Sequence, residues 1–199
     1  SPDLIGANTS SITSLQPRPP GTELSATIFG YLPYWESAAN IRLDLLTHIA
    51  CFSVQVNYNG TFNNLRGWPW TSVINTAHQN GVKVVLVATL FTPSDTLTLI
   101  TTPSYKNAFF VNIKNQMLAG EADGLNIDFE GTGEYRSHIN GFMADLTAYL
   151  HAEIPGCEVT FAGPAVNWSD AWDLPGLAAS CDGVFIMGYA FNGSWSTYS

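Results

Sequence analysis

Residues 82–90 read VKVVLVATL and are almost wholly apolar. A short apolar run of this kind is typical of a strand with both faces buried in a parallel sheet. Residues 70–80 before it have a helical pattern closed by Gly81, and residues 104–119 after it have another, with Gly120 as the predicted cap. The stretch therefore predicts a strand flanked by two helices.

The same alternation of strand and helix extends along the chain. Further strands are predicted at residues 27–32, 47–56, 123–129, 157–163 and 182–189, and further helices at 40–46, 134–154 and 169–180. Six β units separated by helices predict an α/β protein with a parallel sheet, which an open doubly wound sheet and a (β/α)8 barrel both fit. No GxGxxG or GxxxxGK[ST] motif follows a strand, which removes the commonest nucleotide-binding sheets.

The composition limits the possible partners. The chain has 199 residues, a formal net charge of -9 and only 12% charged residues. Few cations argue against nucleic acid or an anionic membrane as a partner, and the apolar runs are too short for membrane insertion. Aromatic residues make up 13%, which suits stacking against uncharged rings such as sugars. Residues 1–24 are rich in Ser, Thr and Pro and form either a leader or linker, or a tail lying on the domain surface.

The polar residues of one predicted strand indicate a chemical site. Residues 123–130 read DGLNIDFE, and the period of two puts Asn126, Asp128 and Glu130 on one face. Charges are costly to bury and are seldom kept without pairing or function. The last carboxylate lies at the carboxyl end of the strand, where barrel active sites lie, and a like charge should raise the pKa of one carboxyl. The pattern predicts an acid/base site; the alternative is a capping and ion-pair cluster.

DGLNIDFE resembles the DxxDxDxE signature of glycoside hydrolase family 18, the chitinase-type hydrolases, with Asn126 in the middle Asp position. Residues 29–35 (FGYLPYW) and 186–189 (IMGY) resemble the first strand and the Met-x-Tyr motif of that family. The resemblance begins at about residue 27 and is close to the bacterial secreted, peptidoglycan-acting branch of the family. It implies a TIM-type (β/α)8 barrel, partial within residues 25–199, with about six βα units present and strands seven and eight missing.

The resemblance implies a role for each matching residue. Glu130 would be the general acid, while the 2-acetamido group of the substrate attacks C1. Asp128 would hold the acetamido N–H, Tyr189 would orient the acetamido carbonyl, and Asn126 would hydrogen-bond to Asp128 without adding a charge. Asp123 is out of phase with these residues and is expected to be structural. The expected substrate-binding residues, with Asn126, are Tyr31, Trp35, Met187 and Trp168.

The implied activity is retaining hydrolysis of β-1,4 bonds in N-acetylglucosamine polymers, chitin or peptidoglycan, outside the cell or at its surface. No cofactor or metal is expected. Ala190 follows the Met-x-Tyr motif where the family usually has Asp or Asn. The alternative function is a non-catalytic lectin or surface protein on the same fold; the presence of Glu130 favours the enzyme. The expected partner for closing the barrel is a missing segment or another chain.

The three cysteines allow one disulfide. Cys157 opens the fifth predicted strand and Cys181 precedes the sixth, at the same end of neighbouring strands. Adjacent strands lie about 4.8 Å apart, and a disulfide needs Cα atoms roughly 4.4–6.8 Å apart. A bridge between Cys157 and Cys181 is therefore possible, with Cys51 as a buried free thiol.

Overall fold

The computed structural model describes residues 11–131, 135–167 and 170–189. Its strands are β1 (Phe29–Pro33), β2 (His48–Val56), β3 (Phe62–Asn64), β4 (Lys83–Leu90), β5 (Gly124–Phe129), β6 (Glu158–Pro164) and β7 (Gly183–Met187). Its α-helices are α1 (Thr71–Gln79), α2 (Pro93–Thr101), α3 (Pro103–Ala119), α4 (Arg136–Glu153) and α5 (Leu174–Ser180). None of the helices in these ranges is both long and apolar enough to cross a membrane.

All but one of the strands are parallel to their neighbours in a single sheet. The order of the parallel strands is β1-β2-β4-β5-β6-β7. The short strand β3 is not in this order and pairs antiparallel with the carboxyl end of β2. The strand order never reverses, unlike in a doubly wound sheet, and right-handed crossovers then put every helix on the same face. The structure confirms the α/β class and an incomplete (β/α)8 barrel of six parallel strands.

The two faces of the sheet have different surroundings. Leu125, Ile127 and Phe129 of β5 point outward into the main core between sheet and helices, where Phe129 lies 5.7 Å from Phe109 of α3, centroid to centroid. The inner face holds a much smaller apolar cluster around Ala50, Val85 and Val87. The outer core therefore supplies most of the burial, and the inner face is left for polar groups.

Three elements differ from the prediction. The short helix at residues 40–46 is instead two 3-10 turns, Ala38–Asn40 and Leu43–Leu45. Strand β3 was not predicted; it follows a turn in which Gly60 has φ 81, a left-handed conformation that favours glycine. Helix α2 was missed because its threonines have weak helix propensity, although Pro93 at its first turn is a start signal.

The described part of the N-terminal segment lies on the surface of the domain. The Thr13 N–H donates to Asn75 Oδ1 at 2.7 Å, and the Gln16 N–H donates to the carbonyl of His78 at 3.0 Å. Further along, the Arg18 guanidinium donates to the carbonyl of Leu46 at 2.6 Å. These contacts hold residues 13–18 against the surface of the domain.

His78 links this segment to the sheet. Its Nδ1 lies 2.5 Å from the carbonyl oxygen of Thr13, and its Nε2 lies 2.8 Å from Asp123 Oδ2, which also accepts from the Val84 N–H. Both ring nitrogens face acceptors, so both must carry protons. Burial alone would lower the pKa of His78, but the hydrogen bonds to Asp123 and Thr13 outweigh it and raise that pKa.

The predicted disulfide is not formed. Cys51, Cys157 and Cys181 are all free thiols, and Cys51 is buried as expected. The Cys181 thiol donates instead to the carbonyl of Leu177 at 3.2 Å, one turn back in α5. The sheet register pairs Thr160 with Gly183, so Cys157 and Cys181 are not level with each other along the two strands.

The tie between His78, Asp123 and Thr13 should make stability depend on pH. Because the folded pKa of His78 exceeds its unfolded value, its contribution is complete below about pH 6.5 and is lost as the pH rises through the folded pKa. We expect the advantage of wild type over His78→Gln in urea unfolding to be larger at about pH 5.5 than at about pH 8.5. His138→Gln, at an exposed position, is the matched control. An advantage that grows with pH would contradict this assignment.

Candidate active site

Strand β5 carries the polar residues of the site on its inner face. Asn126 is fully buried and Asp128 is 9% exposed, while Glu130 lies beyond the strand end and is exposed. The N–H of Glu130 donates to the carbonyl of Leu90 at 3.0 Å, which continues the pairing of β4 and β5 by one residue. The alternation predicted for residues 123–130 thus holds.

Asn126 is fixed by partners on two other strands. It accepts a hydrogen bond from the Tyr31 hydroxyl at 2.9 Å through Oδ1 and donates to Thr160 Oγ1 at 2.9 Å through Nδ2. The expected hydrogen bond from Asn126 to Asp128 is not present in the described structure. Residues two apart on a strand are separated by about 6.6 Å along it, whereas neighbouring strands present side chains at one level. Asn126 therefore positions Tyr31 and not Asp128.

Asp128 is a buried carboxylate at the cavity end of β5. No residue in the described ranges donates a hydrogen bond to it. Burial, with a smaller effect from the charge of Glu130, raises the pKa of Asp128 to about 6. The prediction that one carboxyl of the pair has a raised pKa is met by Asp128.

A cavity of about 380 Å³ opens over Asp128 at the carboxyl ends of the strands. It brings together five predicted site residues, Tyr31, Trp35, Asp128, Met187 and Tyr189. Sequence analysis missed the other four lining residues, Pro33, Phe52, Phe185 and Gly188. The period of two on β7 would have indicated Phe185, because it lies two residues before Met187. The cavity is apolar and aromatic around one carboxylate.

Two tyrosines face this carboxylate from β1 and from the end of β7. Burial, and then the charge of Asp128, raise the pKa of Tyr31. The same two causes, with Glu130 as a third, raise the pKa of Tyr189. Tyr189 is 66% exposed, and its hydroxyl donates to Met187 Sδ at 2.9 Å. Both tyrosines are therefore protonated donors at neutral pH.

A second pocket of about 250 Å³ adjoins this cavity and shares Trp35 and Phe52 with it. Trp35 is 59% exposed and meets the ring of Phe52 edge-on at 6.0 Å. Arg66 also lines the pocket, and Thr89 connects the pocket to β5 because Thr89 pairs with Asp128 in the sheet. The two spaces form a continuous surface with an exposed indole between them.

A larger cavity, of about 930 Å³, lies at the opposite end of the strands. It is lined by His48 and Glu158, and the carboxylate of Glu158 lies 2.9 Å from His48 Nε2 and forms an ion pair with Lys83. Burial lowers the pKa of His48, against the raising effect of Glu158. A carboxylate that already pairs with Lys83 and hydrogen-bonds to His48 is a structural tie, so cavity volume alone does not identify the site here. Asp128, which no described residue pairs with, marks the chemically available end.

The remaining predicted residues fall elsewhere. Asp123 lies at the start of β5, bonded to His78 and to the Val84 N–H, away from the cavity. Trp168 and Ala190 lie outside the described residues. Arg66 was missed because it follows the unpredicted strand β3; the Asn-Gly turn at residues 59–60 was the signal for that hairpin.

The comparison with protein families gives one match. The model described as "Glycosyl hydrolases family 18" matches residues 27–199, where the resemblance had been located. A search of curated proteins finds no match by sequence.

Solved structures with the same fold include enzymes from bacteria and an insect. A Group IV chitinase of Ostrinia furnacalis has a TM-score of 0.72 at 18% identity, over 86% of this chain and 53% of that one. The spore cortex-lytic enzyme SleL of Bacillus cereus has 0.69 at 21%, over 82% and 41%. A chitinase of Bacteroides thetaiotaomicron has 0.69 at 22%, over 83% and 54%. The chain thus spans about half the length of these structures.

The buried charge of Asp128 should lower stability at neutral pH. A folded pKa of about 6, above the unfolded value, means that the cost is absent below about pH 4, grows between about pH 4 and 6, and is complete above that range. At 1.36 kcal/mol per unit of pKa, we expect Asp128→Asn to raise the free energy of unfolding by up to about 3 kcal/mol near pH 7.5. Urea unfolding at several pH values measures this.

Asp145→Asn is the matched control. The Asp145 carboxylate is exposed and paired with Lys106, so its neutralisation should not raise the free energy of unfolding. An Asp128→Asn variant that is less stable than wild type throughout the pH range would show that Asp128 has donors in the folded protein.

Proposed function

Because this chain belongs to glycosyl hydrolase family 18, we propose that it hydrolyses β-1,4 bonds in polysaccharides containing N-acetylglucosamine, such as chitin or peptidoglycan. The observation that carries the proposal is the unpaired Asp128 carboxylate in an aromatic cavity, two residues before an exposed carboxyl, Glu130. Aromatic walls suit sugar rings, and one buried acceptor suits an amide N–H.

The reaction we propose uses the acetamido group of the substrate as the nucleophile. Glu130 donates its proton to the glycosidic oxygen as the bond to C1 breaks, and the acetamido carbonyl oxygen attacks C1. The product of this step is a cyclic oxazolinium ion on the sugar and a free hydroxyl on the leaving saccharide. Water, deprotonated by Glu130, then opens the ion with net retention at C1.

Asp128 and Tyr189 are suited to hold the acetamido group. The Asp128 carboxylate has no donor among the described residues and can accept from the acetamido N–H, which stabilises the positive charge that develops there. With its pKa at about 6, Asp128 is largely ionised at neutral pH. When substrate binds, the Tyr189 hydroxyl would give up its hydrogen bond to Met187 Sδ and donate to the acetamido oxygen, which is a stronger acceptor.

Asn126 acts on this arrangement through Tyr31. The hydrogen bond from the Tyr31 hydroxyl to Asn126 fixes the phenol ring in the wall of the cavity. Asn126 is therefore a positioning residue in our proposal, and Tyr31, Trp35 and Met187 line the sugar-binding surface, with Trp168 as a further candidate.

The setting of the enzyme is part of the proposal. Its polymeric substrates are extracellular, so we place the protein outside the cell or at its surface. Strands β1 and β7 are the two edges of the described sheet, and Ile28, just before β1, and Ile186, within β7, are exposed. Such edges are usually covered, and we propose that further βα units from another segment or chain close the barrel.

Substitution of Glu130 tests the general acid. We expect Glu130→Gln in the full-length gene product to lower kcat on chitin hexaose by about 10²–10⁴-fold, because the amide cannot donate a proton to the leaving oxygen. Oligosaccharide binding should be nearly unchanged. Glu121→Gln, which removes an exposed carboxyl at the opposite end of β5, is the control. A Glu130→Gln variant that keeps more than about a tenth of kcat would refute the assignment, and wild type that binds but never cleaves would support the lectin.

A substrate without an acetamido group tests the nucleophile. Cellohexaose and fully deacetylated chitosan should remain intact after an incubation that digests chitin hexaose, because neither carries the carbonyl oxygen that attacks C1. Products are counted by mass spectrometry. Cleavage of cellohexaose at a rate comparable to that of chitin hexaose would mean that a protein group is the nucleophile.

A further inference from the structure

The cations of this acidic chain are almost all neutralised by the protein itself. The sequence has 7 Lys and Arg residues, and all lie in the described ranges. Five form ion pairs with Asp or Glu side chains. Arg18 donates to the backbone carbonyls of Thr22, Leu46 and Asp44. Within the described structure, the guanidinium of Arg66 alone has neither an ion pair nor a hydrogen bond.

Arg66 lies beside the proposed catalytic site. Its guanidinium carbon is 4.5 Å from the centroid of the Tyr34 ring, and it lines the pocket of about 250 Å³ with Trp35 and Thr89. Trp35 also lines the cavity over Asp128, and Thr89 pairs with Asp128 in the sheet. A sugar neighbouring the one bound over Asp128 can therefore contact Trp35 and Arg66 together.

The backbone of Arg66 is held in place. Its N–H donates to Asn64 Oδ1 at 2.8 Å, and its carbonyl accepts from Trp70 Nε1 at 2.9 Å. Its φ of 50 is a left-handed conformation, which is uncommon for arginine and is kept by these two contacts. The guanidinium is thus presented from a fixed loop after β3, stacked on Tyr34, with its five N–H donors available.

We infer that Arg66 determines specificity by binding a carboxylate on the glycan, so that the site prefers acidic N-acetylglucosamine polymers of the peptidoglycan type to neutral chitin. This inference rests on the proposed function and names its substrate class. A neutral sugar offers no charge to pair with a guanidinium, whereas a carboxylate accepts two parallel, charge-assisted N–H bonds from it. With a net charge of -9 and with Asp128 and Glu130 nearby, the protein would otherwise repel an acidic polymer.

The test compares four substrates with the full-length gene product. The first is chitin hexaose, and the second is peptidoglycan glycan strands from which the peptides have been removed, so that the lactyl carboxylates of the sugars are free. The third is the same strands after methyl esterification of these carboxylates, and the fourth is strands that still carry their stem peptides. We expect Arg66→Gln to lower kcat/KM on a carboxylate-bearing strand by about 10–100-fold, mostly by raising KM. The kcat/KM on chitin hexaose and on the methyl-esterified strands should change by less than about 2-fold. Loss on the free strands places the carboxylate on the sugar; loss only on the peptide-bearing strands places it on the peptide.

Two further variants control for charge and packing. Arg42→Gln removes the same charge from an exposed pair with Asp44, at a residue that lines neither of the two pockets, and should leave the preference unchanged. Arg66→Lys keeps the charge without the planar fork and should recover part of the lost kcat/KM. Equal losses on chitin hexaose and on the acidic strands would mean that Arg66 only supports the loop, and no loss on either would also overturn the inference while leaving hydrolysis established.

A binding measurement separates this inference from the proposed function. If the protein cleaves none of these glycans, the proposed hydrolysis fails, but affinity for free versus methyl-esterified strands can still be compared in the Glu130→Gln background with and without Arg66→Gln. Tighter binding of the free strands that disappears with Arg66→Gln supports the carboxylate contact. Equal binding of both strands overturns it.

Discussion

The Asp128 carboxylate is buried on the inner face of β5 with no hydrogen bond from a described residue, and the strands around it hold it there. Its ionised form costs up to about 3 kcal/mol relative to an exposed aspartate. Leu125, Ile127 and Phe129 on the other face of the same strand offset this cost, because each fully buried apolar side chain contributes about 1.5–3 kcal/mol. One strand thus carries the core on one side and the chemistry on the other.

The charged groups at the two ends of the sheet differ in whether they have partners among the described residues. At the amino ends, Glu158 pairs with His48 and Lys83, and Asp123 pairs with His78, so the carboxylates there tie strands and the N-terminal segment together. At the carboxyl ends, Asp128 has no protein donor and Arg66 has no protein acceptor among the described residues. Unpaired groups of opposite sign on either side of Trp35 suit a ligand that supplies an amide and a carboxylate.

Much of this arrangement could be predicted from the pattern of residues 82–90 and 123–130, because buried parallel strands are apolar and side chains alternate strictly along a strand. The same rule could not predict the partners of Asn126, since Tyr31 and Thr160 reach it from other strands and the sheet register decides which side chains are level. Strand β3 and Arg66 escaped prediction because a short hairpin leaves little periodic signal. The predicted disulfide between Cys157 and Cys181 is not formed, and this prediction failed for the same reason as the predicted contact of Asn126 with Asp128. Both outcomes depended on the register of the sheet.

If the carboxylates of β5 support attack by the acetamido group of the substrate, the configuration of the first product must reveal it. Proton NMR during early hydrolysis of chitin hexaose by the full-length gene product reports the anomer released, before mutarotation mixes the two forms. We expect the new reducing end to appear first as the β-anomer, because the oxazolinium ion forms and opens with two inversions at C1. Initial release of the α-anomer would mean direct attack by water and would contradict the mechanism.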